Sequence, residues 1–271
     1  MELVFTHLTT QQLVTLFDFP WEERQKLTMW SDAAVSDERI TGKADLTLEE
    51  RQLMAVDIFE SFSKLWQERL DDGVESFDLI RLMQKDPNTK DLINDPVMFI
   101  GNLLLLIVGG NDTTRNSMTG GVIFFNENPS ELEKVRNDTS LIPSMVSEVI
   151  RFQTPLPHMR RTVTRDFEFK GHRMKEGDKV VLWYCSANRD DDVIKNPDSF
   201  VIDRESPRNH ASFGFGIHRC MGNRLAEMQL RVLWEECLDL FESIEVQAEP
   251  TRLSNNFVRG YSELEVFVKR N

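Results

Sequence analysis

Phe213-Gly214-Phe215-Gly216-Ile217-His218-Arg219-Cys220-Met221-Gly222 sets one cysteine among three glycines and runs straight into a helical pattern over residues 223–241. A thiol at the start of a helix faces unpaired N–H groups and the positive end of the helix dipole. That setting favours the thiolate, the nucleophilic and metal-ligating form. The glycines permit φ > 0 and remove side chains where something bulky would press against the backbone. The stretch reads as a loop that holds a thiolate against a large, flat ligand.

Working outward, 271 residues suffice for one large or two modest domains. With 40% hydrophobic and 28% charged residues the chain is globular rather than disordered. Its 32 basic against 45 acidic residues give −13, with no basic stripe interleaved with aromatics, which argues against nucleic acid as a partner. Cys185, Cys220 and Cys237 form neither a disulfide framework nor a zinc spacing, and the five histidines contain no H-x-x-x-H pair. The first residues, Met1-Glu2-Leu3-Val4-Phe5, lack a signal-peptide pattern. The most apolar run, residues 97–108, contains Gly101 and Asn102 and is short for a bilayer span, so it reads as a core helix. These features give the expectation of a soluble, cytoplasmic chain with no membrane segment.

The expected class is mainly α with small β-sheets, an α+β arrangement. Residues 3–31 have a helical pattern, with Pro20-Trp21 expected to start a second helix at its first position. A polar loop over 36–45 leads to an amphipathic helix over 46–72, carried by Leu53, Val56, Phe59, Phe62, Leu65 and Trp66. A short helix is expected over 77–84. Asp95-Pro96 reads as the N-cap and first turn of a long apolar helix to about Asn126. Pro129 opens another helix, and Ile142 or Pro143 the one that carries Glu148 and Arg151 and stops before Pro155. The period then changes: residues 163–169 and 179–184 read as strands joined through turns at Gly171 and Gly177, and residues 244–246 and 264–268 as a closing hairpin.

Three further groups stand out. Gly109-Gly110-Asn111-Asp112-Thr113-Thr114 lies inside the long helix, where two glycines cost about 1 kcal/mol each relative to alanine. Tight helix packing is one account. A helix locally opened against a ligand, with a hydroxyl and a carboxylate placed to pass protons, is the other. Glu148-x-x-Arg151 puts opposite charges on one helical face of an apolar turn, which implies a buried pair with a further donor, for which Arg204 is the candidate. Arg160-Arg161 follows Pro155 and Pro157 on an extended segment whose alternation points only one of them inward. Cys185 and Cys237 read as small core residues. The cysteine loop is the specific signal. Its phenylalanine, glycines, histidine and cysteine would coincide by chance on the order of once in a million.

Together these residues resemble the cytochrome P450 haem-thiolate monooxygenases. The loop from Phe213 to Gly222 matches that family's haem-binding signature. Gly109 to Thr114 is similar to its oxygen-activating helix motif, Glu148-x-x-Arg151 with Arg204 to its core ion-pair triad, and Arg161 and His218 to positions that bind haem propionates. The resemblance implies haem b (iron protoporphyrin IX) as cofactor, with Cys220 as the thiolate ligand of the metal and Phe213, Gly216, Gly222, Gly109 and Gly110 against the cofactor. It implies proton delivery by Asp112 and Thr113, and a structural role for Glu148, Arg151 and Arg204. Leu105, Leu106, Leu156, Met159 and Phe257 are the candidate substrate-facing residues. The stretch Leu16-Phe17-Asp18-Phe19-Pro20-Trp21-Glu22-Glu23-Arg24 is most like the soluble bacterial terminal alkane and fatty-acid hydroxylases.

Family members extend further upstream. Residues 1–271 therefore read as one partial P450 domain, the C-terminal part, without the N-terminal sheet, the first helices and the substrate-access loop. The implied activity is insertion of one oxygen atom from O2 into an unactivated C–H bond of a small hydrophobic substrate. With no G-x-G-x-x-G motif for flavin or nicotinamide, electrons would come from a ferredoxin and its NAD(P)H-dependent reductase. Peroxide-driven oxygenation on the same haem, or a non-catalytic haem-binding fragment, are the alternatives.

Overall fold

The structure is a computed structural model that describes residues 2–35, 46–71, 73–74 and 76–271. The loop expected over 36–45 lies outside them. The chain divides into two compact units, Met1–Arg115 with Leu253–Asn255, and Asn116–Arg252 with Asn256–Asn271.

The first unit is helical: α1 (Glu2–Phe17), a 3₁₀ turn (Trp21–Glu23), α2 (Gln25–Val35), α3 (Leu48–Asp71), α4 (Leu79–Lys85), and the first part of α5 (Pro96–Glu127). Pro20 does not open the second helix. It precedes the 3₁₀ turn, and α2 begins only at Gln25. α3 starts with a reciprocal capping box: Glu50 N–H donates to Thr47 Oγ1 at 3.1 Å and Thr47 N–H to Glu50 Oε2 at 2.7 Å. Its buried stripe is Ile58, Phe62, Leu65 and Trp66, narrower than expected, because Leu53 and Val56 are exposed. Aromatic rings fill the core, with Phe17 edge-on to Phe62 at 5.1 Å, Phe19 to Trp30 at 6.0 Å and Trp66 to Phe99 at 5.5 Å. Such pairs add about 0.5–1.5 kcal/mol beyond the area they bury.

Asp95 caps α5 through Oδ1, which accepts the Met98 N–H at 3.1 Å. The expected core helix is core on one face only: Phe99, Leu103 and Ile107 are buried, whereas Val97, Gly101, Leu105 and Gly109, also four apart, are exposed. The short apolar run also belongs to a much longer helix of 32 residues. Among the described residues α5 is the helix long and apolar enough to cross a membrane by length and composition, a measure that core helices of soluble proteins also meet.

The second unit holds the rest of α5, then α6 (Pro129–Asn137), α7 (Ile142–Gln153), α8 (Tyr184–Ala187) and α9 (Asn223–Leu240). Four antiparallel two-stranded ladders accompany them: β1 (His158–Thr162) with β4 (Lys179–Trp183), β2 (Phe167–Phe169) with β3 (His172–Met174), β5 (Phe241–Val246) with β8 (Val266–Arg270), and β6 (Thr251–Arg252) with β7 (Tyr261–Glu263). The mainly helical class with small sheets is the one expected. The strand expected over 163–169 is not continuous. Pairing with β4 falls on the earlier residues 158–162, and the chain bends at 164–165, just before Asp166, whose Oδ1 accepts the Glu176 N–H at 2.8 Å. Lys170 (φ 48°) and Gly171 (φ 80°) then make the two-residue turn between β2 and β3. The closing pair is present, extended to β5 and β8, with β6 and β7 inserted between its strands.

The core of this unit is a second ring cluster. Phe124 meets Phe152 at 4.9 Å, and Phe125 meets Trp234 at 4.9 Å and Phe200 at 5.5 Å. α7, buried along nearly its whole length, carries the charged residues into it.

Candidate functional site

The cysteine loop in the second unit is built from nested turns. Gly214 N–H donates to Ala211 O at 2.8 Å, Arg219 N–H to Gly216 O at 3.0 Å, and Cys220 N–H to Phe213 O at 2.9 Å, with Gly214 at φ 63° and Gly216 at φ 79°. A Cβ on Gly214 would stand 2.8 Å from the Tyr184 hydroxyl, so this position needs glycine for space as well as conformation. Cys220 is exposed, unlike Cys185 and Cys237, and Phe215, Met221 and a wholly exposed Ile217 (100%) surround it with apolar surface. Gly216 and Gly222 have only open space where a Cβ would project.

The helix start favours the thiolate less effectively than the sequence suggests, because burial outweighs it. Desolvation pushes the Cys220 thiol up, ahead of the Gly222 N–H and the Arg219 charge, which both pull it down. Although Cys220 is exposed as a residue, the loop around the sulfur keeps enough water away for burial to prevail. A metal cation at the sulfur reverses the balance, since a coordinating thiol is deprotonated outright.

Phe213 is half-buried, and its ring lies 5.4 Å from that of His210. His210 is buried, its Nδ1 accepts the Ser212 N–H at 3.3 Å, and burial, reinforced by the Arg151 charge, pushes its pKa down to about 4. His218 and Arg219 are exposed. On β1, Arg160 is exposed and Arg161 half-buried, as strand alternation requires, and Arg161 donates to the Arg160 carbonyl at 3.0 Å.

Behind the loop, the structure brings Glu148, Arg151 and Arg204 together. Arg151 grips Glu148 bidentately, Nε to Oε2 at 2.7 Å and Nη2 to Oε1 at 2.8 Å, while Arg204 Nε donates to Oε2 at 2.9 Å and Val201 N–H to Oε1 at 2.8 Å. Sequence reasoning missed the residue that joins this cluster to the loop. Asn188, fully buried, donates to Thr154 Oγ1 and Ser212 Oγ at 2.8 Å each, and accepts the Ala211 N–H at 2.6 Å. Its own carbonyl accepts Arg151 Nη1 at 2.7 Å. Nothing in composition or spacing distinguishes this asparagine.

In the first unit, Gly109 to Thr114 stays within the unbroken α-helical run of α5, so the backbone is not opened there. Thr113 Oγ1 donates to the Gly109 carbonyl at 2.6 Å. Both accounts of the paired glycines find support: a Cβ on Gly110 would stand 2.9 Å from Leu13, which is close packing, whereas Gly109 faces open space. Asp112 is buried. Its Oδ2 accepts the Ser31 hydroxyl at 2.8 Å, and its Oδ1 accepts Arg115 Nη2 at 2.6 Å. Of the candidate substrate-facing residues, Leu105 is exposed and Leu106 half-buried on α5, and in the second unit Leu156 and Met159 are half-buried and Phe257 exposed.

An exposed thiol with an apolar rim and open glycine faces suits a flat, apolar, metal-containing group. Among the described residues no three His, Cys, Asp or Glu side chains cluster as a metal site. A metal held at Cys220 would therefore bring its other ligands with it, as a porphyrin does.

The family model described as Cytochrome P450 matches residues 43–266. The chain is 41% identical over 168 residues to linalool 8-monooxygenase of Pseudomonas putida, covering 62% of this chain and 41% of that protein. It is 40% identical over 165 residues to a methyl-branched lipid omega-hydroxylase of Mycobacterium bovis, covering 60% of this chain and 38% of that protein. Among solved structures it resembles cytochrome P450-153 from Novosphingobium aromaticivorans, with TM-score 0.84 and 44% identity over 96% of this chain and 62% of that one. The chain thus spans less than two thirds of the length of these relatives.

Proposed function

The chain belongs to the cytochrome P450 family, and from that premise we propose that it forms part of a haem monooxygenase that hydroxylates unactivated C–H bonds. The observation that carries this reading is Cys220, an exposed thiol with apolar neighbours and glycines that leave room for a macrocycle. Bound haem b would supply the oxygen-activating chemistry that places one atom of O2 in the substrate. Cys220 would hold the iron, with the Gly222 N–H moderating the charge on sulfur. Phe213, Gly216 and Gly222 would face the macrocycle, and His218 and Arg161 would take its propionates. Glu148, Arg151 and Arg204 would keep the loop's support rigid.

Asp112 and Thr113 would hold and pass protons, the Thr113 hydroxyl being fixed by its bond to Gly109. We assign Leu105, Leu106, Leu156, Met159 and Phe257 to a small hydrophobic substrate, a medium-chain alkane or fatty acid oxidised at its terminal carbon. Similarity to a methyl-branched lipid omega-hydroxylase supports the choice of the terminal carbon. A ferredoxin and an NAD(P)H-dependent reductase would supply electrons, in the cytoplasm.

The reduced, carbon monoxide-treated protein should show the red-shifted Soret band of thiolate-ligated haem, and Cys220→Ala should abolish it. A wild-type protein without that band would overturn the haem-thiolate reading. Supplied with ferredoxin and reductase, the haem-loaded protein should oxidise medium-chain alkanes or fatty acids at the terminal carbon. Oxidation only at internal carbons would refute the terminal assignment.

A further inference from the structure

Within the second unit, the tail returns to the helices at Arg259-Gly260-Tyr261, three residues held from two sides. On the α7 side, Arg259 N–H donates to the Pro155 carbonyl at 2.8 Å, and the Arg259 carbonyl accepts Gln153 Nε2 at 2.8 Å. The Arg259 side chain folds back onto the same helix end. Its Nη1 donates to the Gln153 carbonyl at 3.1 Å and to the Phe152 carbonyl at 3.4 Å. These carbonyls belong to the last turn of α7, where the helix itself supplies no donor and a positive charge is favoured.

On the α5 side, Tyr261 N–H donates to Asn116 Oδ1 at 2.9 Å. A Cβ on Gly260 would collide with the Asn116 carboxamide, and one turn along α5 a Cβ on Gly120 would collide with Gln153 Oε1. Asn116 and Gln153 are both buried, so this contact is close-packed as well as hydrogen-bonded. Two segments leave the clamp. Leu156 to Met159 follow directly on Pro155, and Phe257 and Val258 directly precede Arg259. Both backbone groups of Arg259 are thus taken by residues 153 and 155, and between those two Thr154 turns left-handed (φ 45°) to end α7.

We propose that Gln153 and Arg259 are positioning residues that set the spacing between these two segments, and with it which carbon of the substrate is presented for oxidation. This rests on the assignment of Leu156, Met159 and Phe257 to the substrate. Gln153 reaches from α7 to the tail, and Arg259 reaches from the tail to α7, so neither segment shifts without breaking a bond to the other. A slip between them moves Phe257 relative to Leu156 and Met159. An apolar wall displaced by one methylene changes discrimination by about 10–200-fold, which is enough to exchange one carbon of an alkyl chain for its neighbour.

Amide exchange in the 271-residue chain without haem tests the clamp. Gln153→Met keeps the length and loses the donor, and it should speed exchange over the tail segment about fivefold, the equivalent of one buried hydrogen bond. Gly260→Ala, at a position outside the left-handed region, should speed exchange over the segment after α7. Each substitution then loosens the segment to which it does not belong, whereas local damage stays in its own. Exchange confined to the substituted segment would overturn the clamp, and so would equal acceleration over α9, the mark of general unfolding. In the haem-loaded protein with ferredoxin and reductase, both variants should lower the ratio of terminal to penultimate product about tenfold while the carbon monoxide band persists. Arg259→Met should act likewise. Arg259→Lys should keep the wild-type ratio, because a single nitrogen reaches both carbonyls. An unchanged ratio in Gln153→Met and Gly260→Ala would overturn the specificity role. The substrate-facing reading fails separately: Leu156→Ala and Phe257→Ala would then keep the wild-type ratio even where exchange is reciprocal.

Discussion

Glu148 shows how much can depend on one side chain. It is fully buried, accepts from Arg151, Arg204 and the Val201 N–H, and balances two guanidinium groups that have little access to water. Removing one partner of such a cluster leaves uncompensated buried charge, which costs about 3–5 kcal/mol. Glu148→Ala should lower the free energy of unfolding by that amount in chemical denaturation, with a smaller loss for Glu148→Gln. His210 gives a pH-dependent counterpart. Its pKa is about 4 in the folded chain against an ordinary 6.5, so the unfolded chain binds the extra proton between those values. The contribution is complete above about pH 6.5 and is lost as the pH falls to about 4, on the order of 3 kcal/mol in all. His210→Gln should flatten the pH dependence of the denaturation midpoint across that window.

At the scale of elements, local signals placed the ends of helices better than the ends of strands. Asp95-Pro96 marked the start of α5 because capping chemistry is local, involving residues within one turn. The strand expected over 163–169 is cut short because only residues 167–169 enter a ladder, while residues 158–162 pair with β4 and the polar bend between them is held by Asp166. The capping box at Thr47 and Glu50 starts α3 at Leu48, slightly later than the amphipathic pattern over 46–72 implies. Thr47→Ala should destabilise α3 by about 1 kcal/mol, seen as faster amide exchange over the first turn of that helix. Gln153, Asn188, His210 and Arg259 were not legible as special. Each is an ordinary residue whose role arises from partners far away in sequence or on another element, and one sequence carries no mark of such meetings.

For the whole molecule, the decisive text was ten residues long. The Phe213–Gly222 loop, with the charges on α7 and the glycine pair on α5, was enough to name the family that the comparison bears out. The substrate was not written there, since apolar side chains such as Leu105 and Leu156 read the same whether they face a ligand or a core. If the loop takes haem, loading should stabilise the protein by mass action, about 2.7 kcal/mol at a free concentration one hundred times Kd. Calorimetry with and without haem should show that gain in the wild type and a smaller one in Cys220→Ala. Asn188 bears on the order of assembly. It ties the carbonyl that Arg151 grips to the backbone entering the cysteine loop, so the loop is anchored to α7 by contacts that involve no cofactor. If haem binds here, the polypeptide would have its socket in place before the pigment arrives. The rate of colour formation on mixing should then rise in proportion to haem concentration, set by encounter rather than by slow ordering of the chain.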